Sequence, residues 1–259
     1  MLAQFRFALG GEDFAAASFS EYTPATAGYA QYGVSSGYCT AVDCSYINCP
    51  QSGFSMLDWR SAQLDAGSTV TVEGQGRTIP VPAQQYPIGF YTASLNFNGN
   101  RYLWSSFPYT VSGAGGAAVG SFSVTDITSI PAVQLTDLRF SQAVPLSSDF
   151  TVKWTGGDAT LQNGNVTISG FSSTSDFTKY GVFQCAAPMA AHQFTIPKWV
   201  LSLLPPSGTQ YAGQGGSLPF PLGWVYVGQY NKPVEFTATG LDRGILTDIF
   251  YNGMPVYFQ

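Results

Sequence analysis

The chain has 259 residues, enough for one large domain or two ordinary ones, each with its own core. Only 10% of residues are charged, against roughly 25% in a typical soluble domain, while 29 Gly, 16 Pro, 15 Tyr and 19 Phe supply strand-and-turn chemistry rather than helix chemistry. A net charge of −5, with ten Lys and Arg scattered singly, provides no basic stripe for nucleic acid or an anionic membrane, and no run approaches the ~18 apolar residues of a membrane-spanning helix.

The predicted elements begin with Phe5-Arg6-Phe7-Ala8-Leu9, a short alternating strand that stops at Gly10-Gly11. Met1-Leu2-Ala3-Gln4 before it is compatible with the stub of a cleaved export signal. Tyr22 to Tyr38 is a Tyr/Gly/Ser/Ala run, followed by Cys39, Cys44 and Cys49. Residues 1–57 therefore read as an irregular N-terminal region packed on a first domain.

That first domain, 58–125, is predicted from sharper patterns. Ser68–Glu73 alternates with period two, and Arg77–Val81 follows as the second arm of a hairpin. Phe90–Phe97, Arg101–Trp104 and Tyr109–Val111 continue, with Asn98-Gly99 as a turn signal. Gly113–Gly120 is Gly/Ala-rich, and Ser121–Thr125 resumes a strand. Residues 126–148 lack a sustained period and read as a crossing segment.

A second domain, 149–259, opens with the alternating Phe150–Trp154. Strands are predicted at 164–170, 180–186, 192–196, 222–226, 234–239 and 255–258. Pro197–Leu204 is the one predicted helix, started by Pro197 and stopped by Pro205-Pro206. Short strands at this spacing predict an all-β chain of two tandem Ig-like β-sandwich domains, with one short helix in the second.

Residues 58–244 carry a resemblance. Phe150-Thr-Val-Lys-Trp-Thr-Gly-Gly-Asp158, Val166–Gly170, Phe183–Pro188, Phe194–Pro197 with Val200-Leu201 and Leu204-Pro205, and Phe236–Gly244 resemble segments of uncharacterised exported proteins of soil acidobacteria. Myxobacterial surface proteins echo the same segments. Leu64–Gly67 and Tyr109–Phe122 are similar to pieces of those proteins too, whereas His192 departs from the small residue their pattern implies. These are scaffold motifs, so the resemblance implies fold and export and brings no catalytic residues.

Candidate chemistry is sparse. Cys39, Cys44 and Cys49 are disulfide candidates in an exported chain, because their C-x4-C-x4-C spacing lacks the second tight pair of a zinc site. Cys185, in an apolar strand, reads as a buried free thiol. His192 is the sole histidine, and its place at a strand start reads as surface. Gly33-Val-Ser-Ser-Gly37 matches a nucleophile-elbow pattern without the strand and helix that lift the serine. Gly113–Gly120 precedes a strand, whereas a phosphate loop precedes a helix. Asp158, Asn163 and Asn165 supply calcium-type oxygens in a turn, and equally serve the turn itself. Of the tryptophans, Trp104, Trp154, Trp199 and Trp224 read as core, with Trp59 outside that set. Tyr22, Tyr29, Tyr32 and Tyr38 are the candidate ligand-facing aromatics.

No catalytic residue, metal or cofactor is assigned. Charge-poor strands lack the lysines that protect sheet edges. The expected function is a non-enzymatic extracellular or cell-surface assembly protein, a homo-oligomer or homopolymer in which Phe5–Leu9 docks onto a neighbouring copy; the alternative for this strand is pairing within its own domain. The alternative is a module that binds carbohydrate or a surface, with extracellular polysaccharide as partner.

Overall fold

The computed structural model describes residues 2–7, 10–19, 34–36, 38–43, 64–74, 76–85, 89–95, 108–126, 130–212 and 218–259. In chain order the strands are β1 (Leu2–Phe7), β2 (Gly10–Ser18), β3 (Val34–Ser36), β4 (Cys39–Asp43), β5 (Thr69–Gly74), β6 (Arg77–Pro82), β7 (Phe90–Ser94), β8 (Tyr109–Gly113), β9 (Phe122–Asp126), β10 (Val133–Leu135) and β11 (Gln142–Val144). They continue as β12 (Phe150–Gly156), β13 (Asn165–Ser173), β14 (Tyr180–Pro188), β15 (Gln193–Ile196), β16 (Thr209–Ala212), β17 (Leu218–Pro221), β18 (Gly223–Tyr230), β19 (Val234–Phe236), β20 (Gly244–Leu246) and β21 (Asp248–Phe258). The one α-helix among the described residues is α1 (Lys198–Leu201), with Pro197 at its N-cap. The chain is all-β, as its composition predicts.

The first core lies on a four-stranded sheet in the order β6-β5-β8-β9. Period-two alternation puts Val70 and Val72 of β5 on one buried face, and Val111, Phe122 and Val124 of β8 and β9 share it. Ala15, Phe19, Tyr91 and Leu95, from β2, β7 and the residues that follow them, cover that face. Pro80 and Pro82 are tolerated in β6 because it is a terminal strand.

Two loops close one end of this core. Asp65 accepts from the Gly67 and Ala117 amides at 2.7 and 3.2 Å, and the Tyr91 hydroxyl donates to the Gly67 carbonyl at 2.6 Å. Gly67 has φ 104°, and a Cβ on it would meet the Gly115 carbonyl, so only glycine fits this crossing. The glycines of 113–120 serve loop packing.

The second core lies beneath a ten-stranded sheet in the order β3-β4-β14-β13-β18-β21-β1-β2-β7, with β11 also paired to β21. Its inner face contributes Ile168, Phe183, Val225, Val227 and Phe258. Opposite lie the three-stranded sheet β10-β12-β15 and the buried Val200 and Leu201 of α1. Trp154 is 1% exposed and its indole Nε1 donates to the Met189 carbonyl at 3.2 Å. The large sheet thus serves both cores: β2 and β7 roof the first and β13, β14, β18 and β21 roof the second.

The cores do not follow the chain linearly. Within residues 1–57, β2 lies over the first core while Cys39 and Ala41 of β4 enter the second. The hairpin β19–β20 returns from the second half, and its Leu246 is buried in the first core. Residues 126–148 hold β10 and β11, with Val133 and Val144 fully buried. Three-residue strands are too short to reveal a period.

Of the two expectations for Phe5–Leu9, docking in trans and pairing within its own chain, the described residues Phe5–Phe7 show the second. β1 is hydrogen-bonded on both sides within its own chain, antiparallel to β2 (Phe7↔Gly10) and parallel to β21 (Leu2↔Asp248 to Phe7↔Gly253). A strand with both edges paired has no free row of N–H and C=O groups to offer a second copy. Gly10-Gly11 opens the return strand of a hairpin rather than a linker. Ala8 and Leu9 lie outside the described residues.

Candidate functional site

β13 and β14 are long strands paired over nine positions, from Asn165↔Pro188 to Ser173↔Tyr180. The turn between them is built on one carboxylate. Asp176 Oδ1 accepts from the Thr174 hydroxyl at 2.6 Å, the Thr178 amide at 3.1 Å and the Thr178 hydroxyl at 2.9 Å. The Phe177 amide donates to the Thr174 carbonyl and the Thr174 amide to the Lys179 carbonyl, closing the turn. Donors aimed at the anion, the Thr174 hydroxyl foremost, lower its pKa from 3.8 to about 2. Phe177 is held at φ 56°, a conformation a bulky side chain seldom adopts, and its ring is 59% exposed.

A second segment is fastened beside this turn. The Thr209 amide donates to Ser175 Oγ at 2.9 Å, and the Gly208 amide to the Ser173 carbonyl at 2.7 Å. A Cβ on Gly208 would meet the backbone of Ser175, so this approach also needs glycine. Ser172 Oγ donates to the Pro205 carbonyl at 2.7 Å, and the Phe258 amide donates to Ser207 Oγ at 3.0 Å. Residues 205–209 are thereby tied to β13 and to β21. From them β16 rises, carrying Tyr211 at 64% exposure. Phe177 and Tyr211 each stand two residues beyond the Ser175–Thr209 clasp.

Beneath these turns a chain of aromatic rings crosses the outer face of the large sheet. Phe140, Phe220, Trp224 and Tyr226 follow one another at centroid separations of 5.7, 5.5 and 5.5 Å. Phe171 then links Tyr226 to Tyr180 at 6.5 and 6.3 Å. A Cβ on Gly228 would meet the Tyr251 ring, so glycine there makes room for it. Burial pushes the Tyr180 hydroxyl up to about 12 and those of Tyr226 and Tyr251 further in the same direction. This face is a small third core whose ends meet the two turns: Tyr180 follows Lys179, and Phe220 is paired with Gln210.

Cys39 and Cys185 form a disulfide between neighbouring strands β4 and β14, with a Cα–Cα distance of 4.0 Å. The Ala186 amide donates to the Tyr38 carbonyl, which leaves Cys39 and Cys185 as the closer, non-hydrogen-bonded pair beside it. Cys185 is therefore corrected from free thiol to bridge partner. Cys185 has apolar neighbours because the bridge itself is buried, 3% and 1% exposed at its two ends. Cys44 and Cys49 lie outside the described residues, as do Tyr22, Tyr29 and Tyr32. Tyr38 is 75% exposed.

The remaining candidates have local structural roles. Asp158 Oδ1 accepts from the amide and hydroxyl of Thr160, both at 2.7 Å, which lowers its pKa. Asn165 Nδ2 donates to the Gln162 and Asn163 carbonyls. The buried Gln229 locks this loop, donating to the Asp158 and Asn165 carbonyls and accepting from the Asp158 amide. His192 is exposed at φ 53° in a turn. Ser35 lies within β3, paired with Thr40, which is no nucleophile elbow. Trp154 is core, whereas Trp199 and Trp224 are half-buried. A cavity of about 280 Å³ in the first core has apolar walls including Phe19, Val70, Val111 and Phe236, and the Arg243 at its rim is paired with Glu235.

The fold defines an all-β protein with sandwich-like cores. No family model and no curated protein matches the chain. Among solved structures it is similar to the fibronectin(III)-like modules of Clostridium thermocellum CbhA, at 9% identity and a TM-score of 0.24, over 74% of this chain and 80% of that one.

Proposed function

We propose that the chain is a non-enzymatic extracellular module that binds a surface through aromatic side chains displayed on rigid turns. The observation that carries this reading is the β13–β14 turn clasped to the start of strand β16, which bear Phe177 and Tyr211, 59% and 64% exposed on a framework held by side-chain hydrogen bonds. Large rings kept in solvent on rigid turns retain most of their interaction energy on binding, because little conformational entropy remains to be lost. The Cys39–Cys185 bridge supports an oxidising, extracellular setting.

Sedimentation with insoluble cell-wall and plant polysaccharides, together with a glycan array, tests the reading. Saturable binding to any of them supports it. Absence of binding to every polysaccharide and to intact cell surfaces contradicts it.

A second reading, self-association, rests on β9. This terminal strand of the four-stranded sheet presents Ser123 and Thr125 outward with no lysine to protect its edge. A mass above the monomer's in light scattering, abolished by Thr125→Pro, supports that use of β9. A monomer at high concentration contradicts it.

A further inference from the structure

Resting on the binding-module reading, we infer that the β13–β14 turn and the start of β16 form a binding site for a neutral glycan, with Phe177 and Tyr211 stacking on sugar rings and Asp176 accepting from their hydroxyls. Three features of the clasp carry this.

The first is the carboxylate. Asp176 Oδ1 is engaged by Thr174 and Thr178, which fixes the group, while none of those three bonds uses Oδ2. A fixed anionic oxygen on the surface accepts a short, charge-assisted bond from a sugar O–H. The second is the ring beside it. Phe177 adjoins Asp176 in sequence and its backbone is held in a strained left-handed conformation, so the side chain projects outward instead of folding onto the sheet. The apolar C–H face of a pyranose is the ligand surface that pairs with an aromatic ring while its rim of hydroxyls meets an acceptor. The third is the surround. Thr178 and Lys179, which follow Phe177 in the turn, are exposed and add hydroxyl and ammonium groups. Such a mixed rim suits a polyhydroxylated ligand and opposes insertion into lipid.

Charge selects the glycan class. The chain carries a net charge of −5, and Asp176 with Lys179 leaves the turn near neutrality. Uronic-acid or sulfated polymers meet repulsion from Asp176 and from the whole molecule, so an uncharged polymer is favoured. The held carboxylate ionises near 2, so binding persists unchanged from pH 7 to pH 4.

The test is affinity electrophoresis and calorimetry of the full chain with soluble neutral glucans, mannans and xylans, with polygalacturonate as the charged control. Binding to a neutral polymer that weakens tenfold or more in Phe177→Ala and in Asp176→Asn, with melting temperatures held within a few degrees, is the expected result. Tyr211→Ala, which leaves the Asp176 turn untouched, weakens it several-fold. Neutral-glycan binding unchanged in all three variants overturns the site while leaving the binding-module reading intact. Preference for polygalacturonate, or pelleting with phosphatidylcholine vesicles that depends on Phe177, overturns the assignment to neutral glycan. Absence of glycan binding by the unmodified chain overturns it together with the polysaccharide form of the parent reading.

Discussion

Gln229 illustrates how single polar side chains organise the interior. Fully buried, it satisfies three backbone groups of the 158–165 loop with one amide. Gln229→Leu keeps the volume but leaves those groups without partners, and the expected loss in urea unfolding is roughly 3 kcal/mol. Trp154 fills the second core and also bonds the Met189 carbonyl, so Trp154→Ala costs about 3–5 kcal/mol in the same measurement. Asp176 gives a pH signature. Its folded pKa lies below the ordinary value, so its contribution to the turn is present above 3.8 and is lost as pH falls through about 2. Carboxyl NMR resonances should show a midpoint for Asp176 near 2, with amide protection in the 174–179 turn fading over that interval. A midpoint near 4 would contradict the bonding described.

Strands were legible in the sequence where one face is buried and the other is not. Thr69-Val-Thr-Val and Phe150-Thr-Val-Lys-Trp alternate because their inner residues pack while their outer ones stay wet. β21 was visible only at its last four residues, because Asp248–Tyr251 is buried on both faces and shows no alternation. The predicted helix at 197–204 shrinks to the four residues of α1. The disulfide was hidden for a different reason. Cys39 and Cys185 are 146 residues apart, and strand pairing at that range leaves no local trace. Closing so long a loop removes chain entropy worth about 5 kcal/mol on the unfolded side in the loop-closure model. Cys185→Ala is therefore expected to lower unfolding free energy by about 2–5 kcal/mol, and β4 should lose amide-exchange protection before β13 does. The candidate site was not legible either. Phe177 and Tyr211 stand in polar, turn-rich stretches, and those stretches meet through long-range bonds such as Ser175–Thr209 and Ser173–Gly208, which leave no local trace.

At the scale of the molecule, one ten-stranded sheet joins two cores, and the ends of the chain meet in it, β1 beside β21. Parallel pairing of terminal strands makes the N-terminal segment part of the framework rather than an arm free to reach another copy. The Cys39–Cys185 bridge fastens a second piece of that segment, β4, to β14 in the second core. Strands β1, β2 and β4, threaded between the two cores, hold the large sheet whose β13–β14 turn carries Phe177. The most direct test is peptide mapping by mass spectrometry of non-reduced, alkylated protein from its native source. The predicted result is a cross-linked pair in which a peptide containing Cys39 is joined to one containing Cys185. Recovery of Cys185 as an alkylated free thiol, with Cys39 bridged to Cys44 or Cys49, would contradict the threading.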